Sequence, residues 1–223
     1  AFSRVGRPEP GLGDLDREFD GRYQFVRFIE RGASGVVYHA IDLAGSRDVA
    51  IKILAEEIIA TREIRARFEA EAAAMQRLDH PNIVRMLDSG VTARGLPYLV
   101  MELVDGCDLR SLCVERLMDP FEAYGWFTAV CEAIIHAHSL GVLHLDLKPS
   151  NILIDGESRV RVTDFGISRV VAPLPDAGAT LGTIGAGPGW TFGYSAPEQI
   201  AGRRVDERSD VYALGALLYG LLT

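Results

Sequence analysis

The first half of the chain alternates short apolar runs with polar turns, a pattern typical of an antiparallel sheet. The runs predict strands at residues 23–29, 36–41, 48–54, 83–87 and 97–102. Between the third and fourth runs, residues 58–78 are rich in Ala, Glu and Arg, and apolar side chains such as Phe68 and Met75 recur at helical spacing. This spacing predicts one helix, with Ile64 and Glu71 on the same face as Phe68 and Met75.

Helical periodicity dominates the second half. Residues 121–140 predict a long amphipathic helix, and the continuous apolar run at residues 211–222 predicts a buried one. A membrane span needs about 18 apolar residues, so this run is too short to predict one. Short apolar pieces at residues 152–154 and 160–162 are followed by a Gly-rich stretch at residues 171–193. Together the two halves predict an α+β fold, in which a small antiparallel-sheet lobe with one main helix joins a mostly helical lobe.

Composition indicates a folded globular protein. The sequence has 223 residues, of which 48% are hydrophobic and 24% charged, with a net charge of −8. These values exclude a disordered or collagen-like chain, and the acidic balance argues against nucleic acid as a partner. Cys107, Cys113 and Cys131 lack paired spacing, which predicts reduced thiols and a cytoplasmic location. Residues 1–19, rich in Gly, Pro and charge, predict a linker or tail.

Two features of the predicted sheet indicate chemistry beyond packing. Lys52 lies inside an apolar strand, where a buried ammonium needs an anionic partner, and Glu71 on the predicted helix face can supply one. The alternative is a lysine whose head group extends to solvent. Gly32 and Gly35 separate the first two strands; they fit either a phosphate-covering loop or a plain Gly hairpin.

A polar segment in the second half is more specific. It reads HLDLKPSN from His144 to Asn151, and Asp164-Phe165-Gly166 follows it. The segment supplies a carboxylate, an ammonium, an amide and a second carboxylate on two loops. Phosphoryl transfer needs this set, because one carboxylate orients a hydroxyl, oxygen atoms bind Mg²⁺ and fixed cations offset phosphate charge.

These motifs, together with Ala196-Pro197-Glu198, resemble the catalytic domain of eukaryotic-type (bacterial Hanks-type) Ser/Thr protein kinases. The resemblance runs from about Tyr23 to Thr223 and implies ATP and Mg²⁺ as cofactors and a protein with a Ser or Thr acceptor as substrate. It implies a kinase domain over residues 20–223, with an N-lobe at 20–103 and a partial C-lobe at 104–223. Lys148, placed two residues after Asp146, and Thr191 both match the Ser/Thr-specific class.

The resemblance also implies which residues form the site. Four residues match the catalytic positions of the family: Asp146, Lys148, Lys52 and Glu71. Two match its metal ligands, Asn151 and Asp164. The positions that match its nucleotide-binding residues are Ile29, Gly32, Gly35, Val37, Ala50, Lys52, Met101, Glu102, Val104, Asp108 and Leu153.

The sequence departs from the family pattern in three places. Glu30 occupies the position of the first loop glycine, and Leu145 the position of an Arg that often pairs with a phosphorylated activation segment. Without that Arg, phosphorylation at Thr180 or Thr183 is not expected to control activity. The family's lower lobe continues past the last helix with an Arg for the glutamate matched by Glu198, so we expect an incomplete C-lobe with Glu198 unpaired.

Two alternatives stay open at this point. A pseudokinase, which binds nucleotide or acts as a scaffold without transferring phosphate, fits the departures at Glu30 and Leu145. A zinc site at His136, His138 and His144 is disfavoured, because no Cys or acidic ligand shares a suitable spacing. The protein substrate, the upstream signal and the oligomeric state cannot be read from these residues.

Overall fold

The structure is a computed structural model that describes residues 15, 19, 21–32, 34–55, 62–115, 118–165 and 193–223. The predictions made for Gly166, Thr180, Thr183 and Thr191 fall outside the described residues.

The upper lobe is built on a five-stranded antiparallel sheet with the strand order β1-β2-β3-β5-β4. Its strands are Tyr23–Gly32 (β1), Gly35–Asp42 (β2), Arg47–Leu54 (β3), Met86–Val91 (β4) and Pro97–Glu102 (β5). Four of the five predicted strands are confirmed to within a few residues; inward positions alternate with exposed ones at the start of β1, whereas β3 in the middle of the sheet is buried on both faces.

The fourth strand begins later than its predicted start at residue 83. Ile83 instead forms a parallel bridge with Val162 of the lower lobe. The Val84 amide donates to the Val162 carbonyl, and the Val162 amide donates to the Asn82 carbonyl, each at 2.8 Å. The apolar run at residues 83–87 therefore contributes to both lobes, and only its second part pairs with β5.

One main helix, α1 (Arg62–Met75), connects β3 to β4. Phe68, Ala72 and Met75 are buried on its inner face, as their spacing predicts. Helix α1 ends at Met75, before the predicted end at residue 78, since a hydrogen-bonded turn at Gln76, Arg77 and Leu78 follows it.

Aromatic side chains form the core above the sheet. Phe19 packs against the rings of Tyr23, Phe25 and Tyr98, at centroid distances of 5.9, 5.0 and 4.5 Å. Leu15 is buried in the same cluster. The predicted tail at residues 1–19 therefore includes two side chains that belong to the folded core.

The lower lobe contains four helices within the described residues, together with a small sheet. The helices are Leu109–Glu115 (α2), Pro120–Ser139 (α3), Pro197–Ile200 (α4) and Glu207–Leu222 (α5). The three antiparallel strands are Gly106–Asp108 (β6), Ile152–Asp155 (β7) and Val160–Val162 (β8). Within the described part of the chain, no helix is long and apolar enough to cross a bilayer.

Helix α3 begins where its sequence signals place it. Asp119 accepts hydrogen bonds from the Phe121 and Glu122 amides, and Pro120 occupies the first helical turn, where its missing N–H is not needed. The inner face of α3 packs against α5. The two longest predicted helices of this lobe therefore form its centre.

A single apolar core runs through both lobes. It joins Leu54 and Phe68 of the upper lobe to Trp126, Ile152 and Leu217 of the lower lobe. The predicted two-lobed α+β fold is confirmed. The open space between the lobes is bordered by β1–β3 above and by the loops around β7 and β8 below.

Candidate active site

Three of the predicted residues converge on the loop between α3 and β7. Lys148 Nζ lies 2.8 Å from Asp146 Oδ2. Asn151 Nδ2 donates to the Asp146 carbonyl oxygen at 2.8 Å and to Asp146 Oδ2 at 3.1 Å. Because these donors engage the backbone and one carboxylate oxygen, they fix the side chain of Asp146 and leave Oδ1 outside this set of bonds.

The conformation of this loop is held from below by helix α5. Leu145 has a φ of 62°, in the left-handed region that a branched apolar residue seldom adopts. The Leu145 and His144 amides donate to the two carboxylate oxygens of Asp210, at 2.7 and 2.9 Å. The Gln199 side chain donates to the Leu145 carbonyl at 2.8 Å. These bonds compensate for the strain at the residue next to Asp146.

Asp210 is fully buried, yet it stays ionised at neutral pH. Burial by itself favours the neutral acid and opposes ionisation. The hydrogen bonds from His138 and from the His144 and Leu145 amides outweigh burial and hold the pKa of Asp210 below its ordinary value. The apolar run at residues 211–222 predicts this helix, but nothing in the sequence indicates that His138 binds Asp210.

His144 connects this loop to the segment that carries Asp164. Its ring nitrogen Nε2 bonds to the Thr163 carbonyl at 3.0 Å, and its ring packs on Phe165 with centroids 4.6 Å apart. His144 and Phe165 are both buried. Asp164, which lies between Thr163 and Phe165 in the chain, has a φ of 66°, and this conformation turns its carboxylate toward the upper lobe.

Lys52 reaches across the cleft to that carboxylate. Its side chain is only 4% exposed, and Nζ donates to Asp164 Oδ2 at 2.7 Å. The structure therefore excludes the alternative in which the ammonium extends to solvent. The acidic partner that it shows for Lys52 is Asp164, whereas the sequence analysis expected Glu71. Glu71 is half-buried on α1, and its proposed role remains a prediction.

An apolar pocket adjoins Lys52. Val37, Ala50 and Met101 are buried together, and Ile29 packs against them. The structure thus brings together four of the predicted nucleotide-binding residues. Leu103 and Val84 also pack on this cluster, and sequence reasoning missed Val84, because nothing in its local pattern separates it from ordinary core residues.

Four further predicted residues lie at the end of β5 and on the small sheet of the lower lobe. Glu102 and Val104 are half-buried where β5 leads into the lower lobe. Asp108 and Leu153 are cross-strand partners on β6 and β7. The carboxylate of Asp108 also accepts bonds from the Ser111 amide and hydroxyl, at 2.9 and 2.8 Å, so a nucleotide ribose would compete with an intramolecular partner.

The two glycines of the β1–β2 hairpin differ in the space that a side chain would have. Gly35 has a φ of 150°, and a Cβ there would lie 2.1 Å from the Ile53 carbonyl oxygen, so only glycine fits. A Cβ on Gly32 would meet nothing within 4 Å. Packing therefore explains Gly35, whereas the bare backbone at Gly32 leaves room for a ligand.

One ion pair and one hydrogen bond to a glutamate were not predicted. Arg161 on β8 pairs with Glu102, which also accepts from the Arg85 amide at 2.7 Å. This links the connection between the lobes to the lower sheet. Ser209 Oγ donates to Glu198 Oε1 at 2.5 Å, so the glutamate that was expected to lack an Arg partner accepts a hydrogen bond from a hydroxyl instead. A serine on the same helix as Asp210 supplies the partner.

The donor set fits a magnesium-bound triphosphate. Asn151 uses its amide nitrogen on Asp146, which leaves Oδ1 as a neutral oxygen ligand. Asp164 uses Oδ2 on Lys52, which leaves Oδ1. Mg²⁺ prefers oxygen ligands of this kind. Lys52 and Lys148 are the only lysines in the sequence, and each bonds to a carboxylate of this site.

Comparison with known proteins agrees with this geometry. The protein kinase domain family matches residues 23–223. The chain is 40% identical over 206 residues to the serine/threonine-protein kinase PknB of Mycobacterium tuberculosis, covering 91% of this chain and 32% of PknB. It is 37% identical over 212 residues to PrkC of Bacillus subtilis, covering 94% of this chain and 31% of PrkC.

A probable serine/threonine-protein kinase of Streptomyces coelicolor is 38% identical over 211 residues, covering 93% of this chain and 31% of that protein. The crystal structure of the PknI kinase domain of Mycobacterium tuberculosis superimposes with a TM-score of 0.72 at 30% identity, covering 90% of this chain and 73% of that domain. The chain spans about a third of the length of these curated relatives. It belongs to the protein kinase domain family, and these curated relatives are bacterial serine/threonine kinases.

Proposed function

We propose that the protein transfers the γ-phosphoryl group of ATP to serine or threonine hydroxyls of protein substrates. The observation that carries this proposal is the arrangement of Asp146, Lys148 and Asn151 opposite the Lys52–Asp164 pair. Bacterial relatives named as serine/threonine-protein kinases support the same activity. Because ATP is available in the cytoplasm, we place the domain there.

Asp146 acts as the proton acceptor. Its Oδ2 is held by Lys148 and Asn151, so Oδ1 is the atom that receives the proton of the substrate hydroxyl. The hydroxyl oxygen forms a bond to the γ-phosphorus while the bond from that phosphorus to the bridging oxygen breaks, and ADP leaves. Lys148 stays close to the transferred group and offsets its charge.

Lys52, Asp164 and Asn151 position the phosphates. Mg²⁺, when bound, neutralises phosphate charge, and the free oxygens of Asn151 and Asp164 are its protein ligands. The hydrogen bond from Lys52 fixes the orientation of the Asp164 carboxylate. The apolar cluster of Val37, Ala50 and Met101 receives the flat adenine ring.

The test is transfer of radiolabel from γ-labelled ATP to a generic basic protein in the presence of Mg²⁺. Asp146→Asn keeps the shape of the side chain but removes the proton acceptor, so we expect transfer to fall at least about a hundredfold. Acid hydrolysis of the labelled product should yield phosphoserine or phosphothreonine. Asp119→Asn is the matched control, because Asn also caps a helix, and it should keep full activity.

Retention of transfer within a few-fold in Asp146→Asn would contradict the role assigned to that residue. A second candidate function, nucleotide binding without transfer, is favoured by the carboxylate of Glu30 next to the phosphate site. It predicts that the wild-type protein binds an ATP analogue but produces no phosphoserine or phosphothreonine. Calorimetric binding measured beside the transfer assay separates the two functions.

A further inference from the structure

Glu30 lies near the exposed end of β1, where its own side chain is also exposed, but the strand pairing places it on the side of the sheet that faces the cleft. In the β1–β2 pair, Phe28 lies opposite Tyr38 and Glu30 lies opposite Val37, with a register shift between them at Ile29. Residues directly opposite in an antiparallel pair project from the same face of the sheet. Val37 is buried in the apolar cluster above the cleft. The shift at Ile29 therefore turns Glu30 toward the cleft as well.

The charges around Glu30 agree with this placement. Loss of hydration raises its pKa first, and the carboxylate of Asp164 raises it further, while Lys52 lowers it. Asp108 and Lys148 act on it more weakly. All four of these neighbours are residues of the cleft, so the carboxylate of Glu30 lies within electrostatic reach of the position that phosphates would take.

Glu30 adds a negative charge near the position that the phosphates would take. With Asp108, Asp146 and Asp164 it places four carboxylates around two ammonium groups, Lys52 and Lys148. A triphosphate without metal carries about four negative charges at neutral pH, whereas its magnesium complex carries about two. Repulsion from a fixed carboxylate therefore weakens the metal-free form more than the complex.

We propose that Glu30 makes nucleotide binding conditional on the divalent cation, by repelling metal-free triphosphate while tolerating the metal complex. This inference rests on the proposed function, since it concerns the same nucleotide site. It assigns Glu30 as a specificity-determining residue that selects the metal-bound form of the nucleotide, at a position where glycine would be neutral.

The experiment measures binding by calorimetry, without turnover. The ligands are the β,γ-imido analogue of ATP with excess Mg²⁺, the same analogue with EDTA, and adenosine, which has no phosphate. We expect Glu30→Gln to bind the metal-free analogue about tenfold more tightly than wild type, and the magnesium complex at most about threefold more tightly. Adenosine binding should stay within about twofold, because adenosine carries no charge to repel.

Two further variants make the comparison specific. Glu30→Asp keeps the charge and should keep the wild-type preference for the magnesium complex. Glu69→Gln removes a carboxylate from the exposed face of α1 and changes the net charge of the protein equally, so it should leave all three affinities unchanged.

Several results would overturn the proposal. One is unchanged affinity of Glu30→Gln for the metal-free analogue. A second is an equal gain in its affinity for the metal-free analogue and the magnesium complex. A third is the same gain in affinity in the Glu69→Gln control. Weaker binding of the magnesium complex in Glu30→Gln would identify Glu30 as a metal ligand, which is the opposite effect. If the wild-type protein binds the magnesium complex normally, these failures concern Glu30 alone. If it binds no analogue even with Mg²⁺, the proposed function fails, and the inference fails with it.

Discussion

At the scale of single residues, the environment of Lys52 explains why a lysine is tolerated inside an apolar strand. Its aliphatic stem is covered by the sheet, while its ammonium bonds to Asp164 on the other side of the cleft. The sequence predicts that such a lysine needs an acidic partner. It does not predict which one, because Glu71 and Asp164 both lie far along the chain and only tertiary structure decides between them.

Lys52→Met should abolish phosphoryl transfer and leave the fold intact. The thioether chain fills the volume of the lysine stem, and Asp164 keeps partial access to water, with 18% of its side chain exposed, so the cost in stability is small. Loss of a cation that acts on the phosphates should lower the transfer rate about a hundredfold or more. The radiolabel assay measures the rate, and thermal unfolding measures the stability.

A Lys52→Met variant that keeps its turnover within a few-fold of wild type would show that the ammonium is not needed. A variant that loses its cooperative unfolding transition would show that the Lys52–Asp164 pair is structural.

At the scale of elements, long periodic segments were predictable and short ones were not. The strands of the main sheet and helices α1, α3 and α5 follow from alternating or helical apolar spacing. Strand β6 and helix α4 have three and four residues, too few for a period to be visible. Asp210 illustrates the same limit within the site: the apolar helix that carries it was predictable, but the bonds of Asp210 to His144 and Leu145 depend on how the helix meets the loop.

Asp210→Asn should destabilise the protein and displace the catalytic loop. An asparagine can accept one loop amide but must turn its own N–H₂ group toward another donor, which costs about 2–3 kcal/mol in free energy of unfolding. Denaturant unfolding at neutral pH measures this difference. Asp206→Asn is the control on the same helix, since Asn caps as well as Asp, and it should cost less than about 0.5 kcal/mol.

The difference in unfolding free energy between wild type and Asp210→Asn should change with pH in a defined direction. The pKa of Asp210 is lower in the folded state than in the unfolded state, where it is about 3.9. Its stabilising effect is therefore complete above about pH 4 and is lost as the pH falls through the folded-state pKa. The stability gap between wild type and Asp210→Asn should narrow below pH 4. A gap that stays constant down to acid unfolding would mean that the charge of Asp210 contributes nothing.

At the scale of the whole molecule, the folded unit begins earlier than its sequence suggests. Leu15 and Phe19 lie among Gly, Pro and charged residues, which mask them as part of a tail. Two apolar residues in a polar stretch have no period, so the sequence cannot show that they pack against the sheet. The structure buries both.

Phe19→Ala should therefore destabilise the upper lobe by about 3 kcal/mol, because it removes a ring that packs on three others. Chemical denaturation of the whole chain gives this value. Phe121→Ala, at a position that is 88% exposed, is the control and should cost less than about 0.5 kcal/mol. Equal costs for the two variants would place Phe19 outside the cooperative core.

Backbone hydrogen bonds join residues 82–84 to β8, so we expect helix α1 to tilt about its C-terminal end, as a lever does. The hydrogen-bonded turn after Met75 leads directly into this junction, so the C-terminal end of α1 is the fulcrum. Its 14 residues extend about 20 Å from that end. A tilt of about 10° at the fulcrum would move the far end by about 3.5 Å while shifting Met75 very little. Glu71, one turn from the fulcrum, would travel a much shorter arc of about 1 Å, so the same tilt displaces the two ends of the helix very unequally.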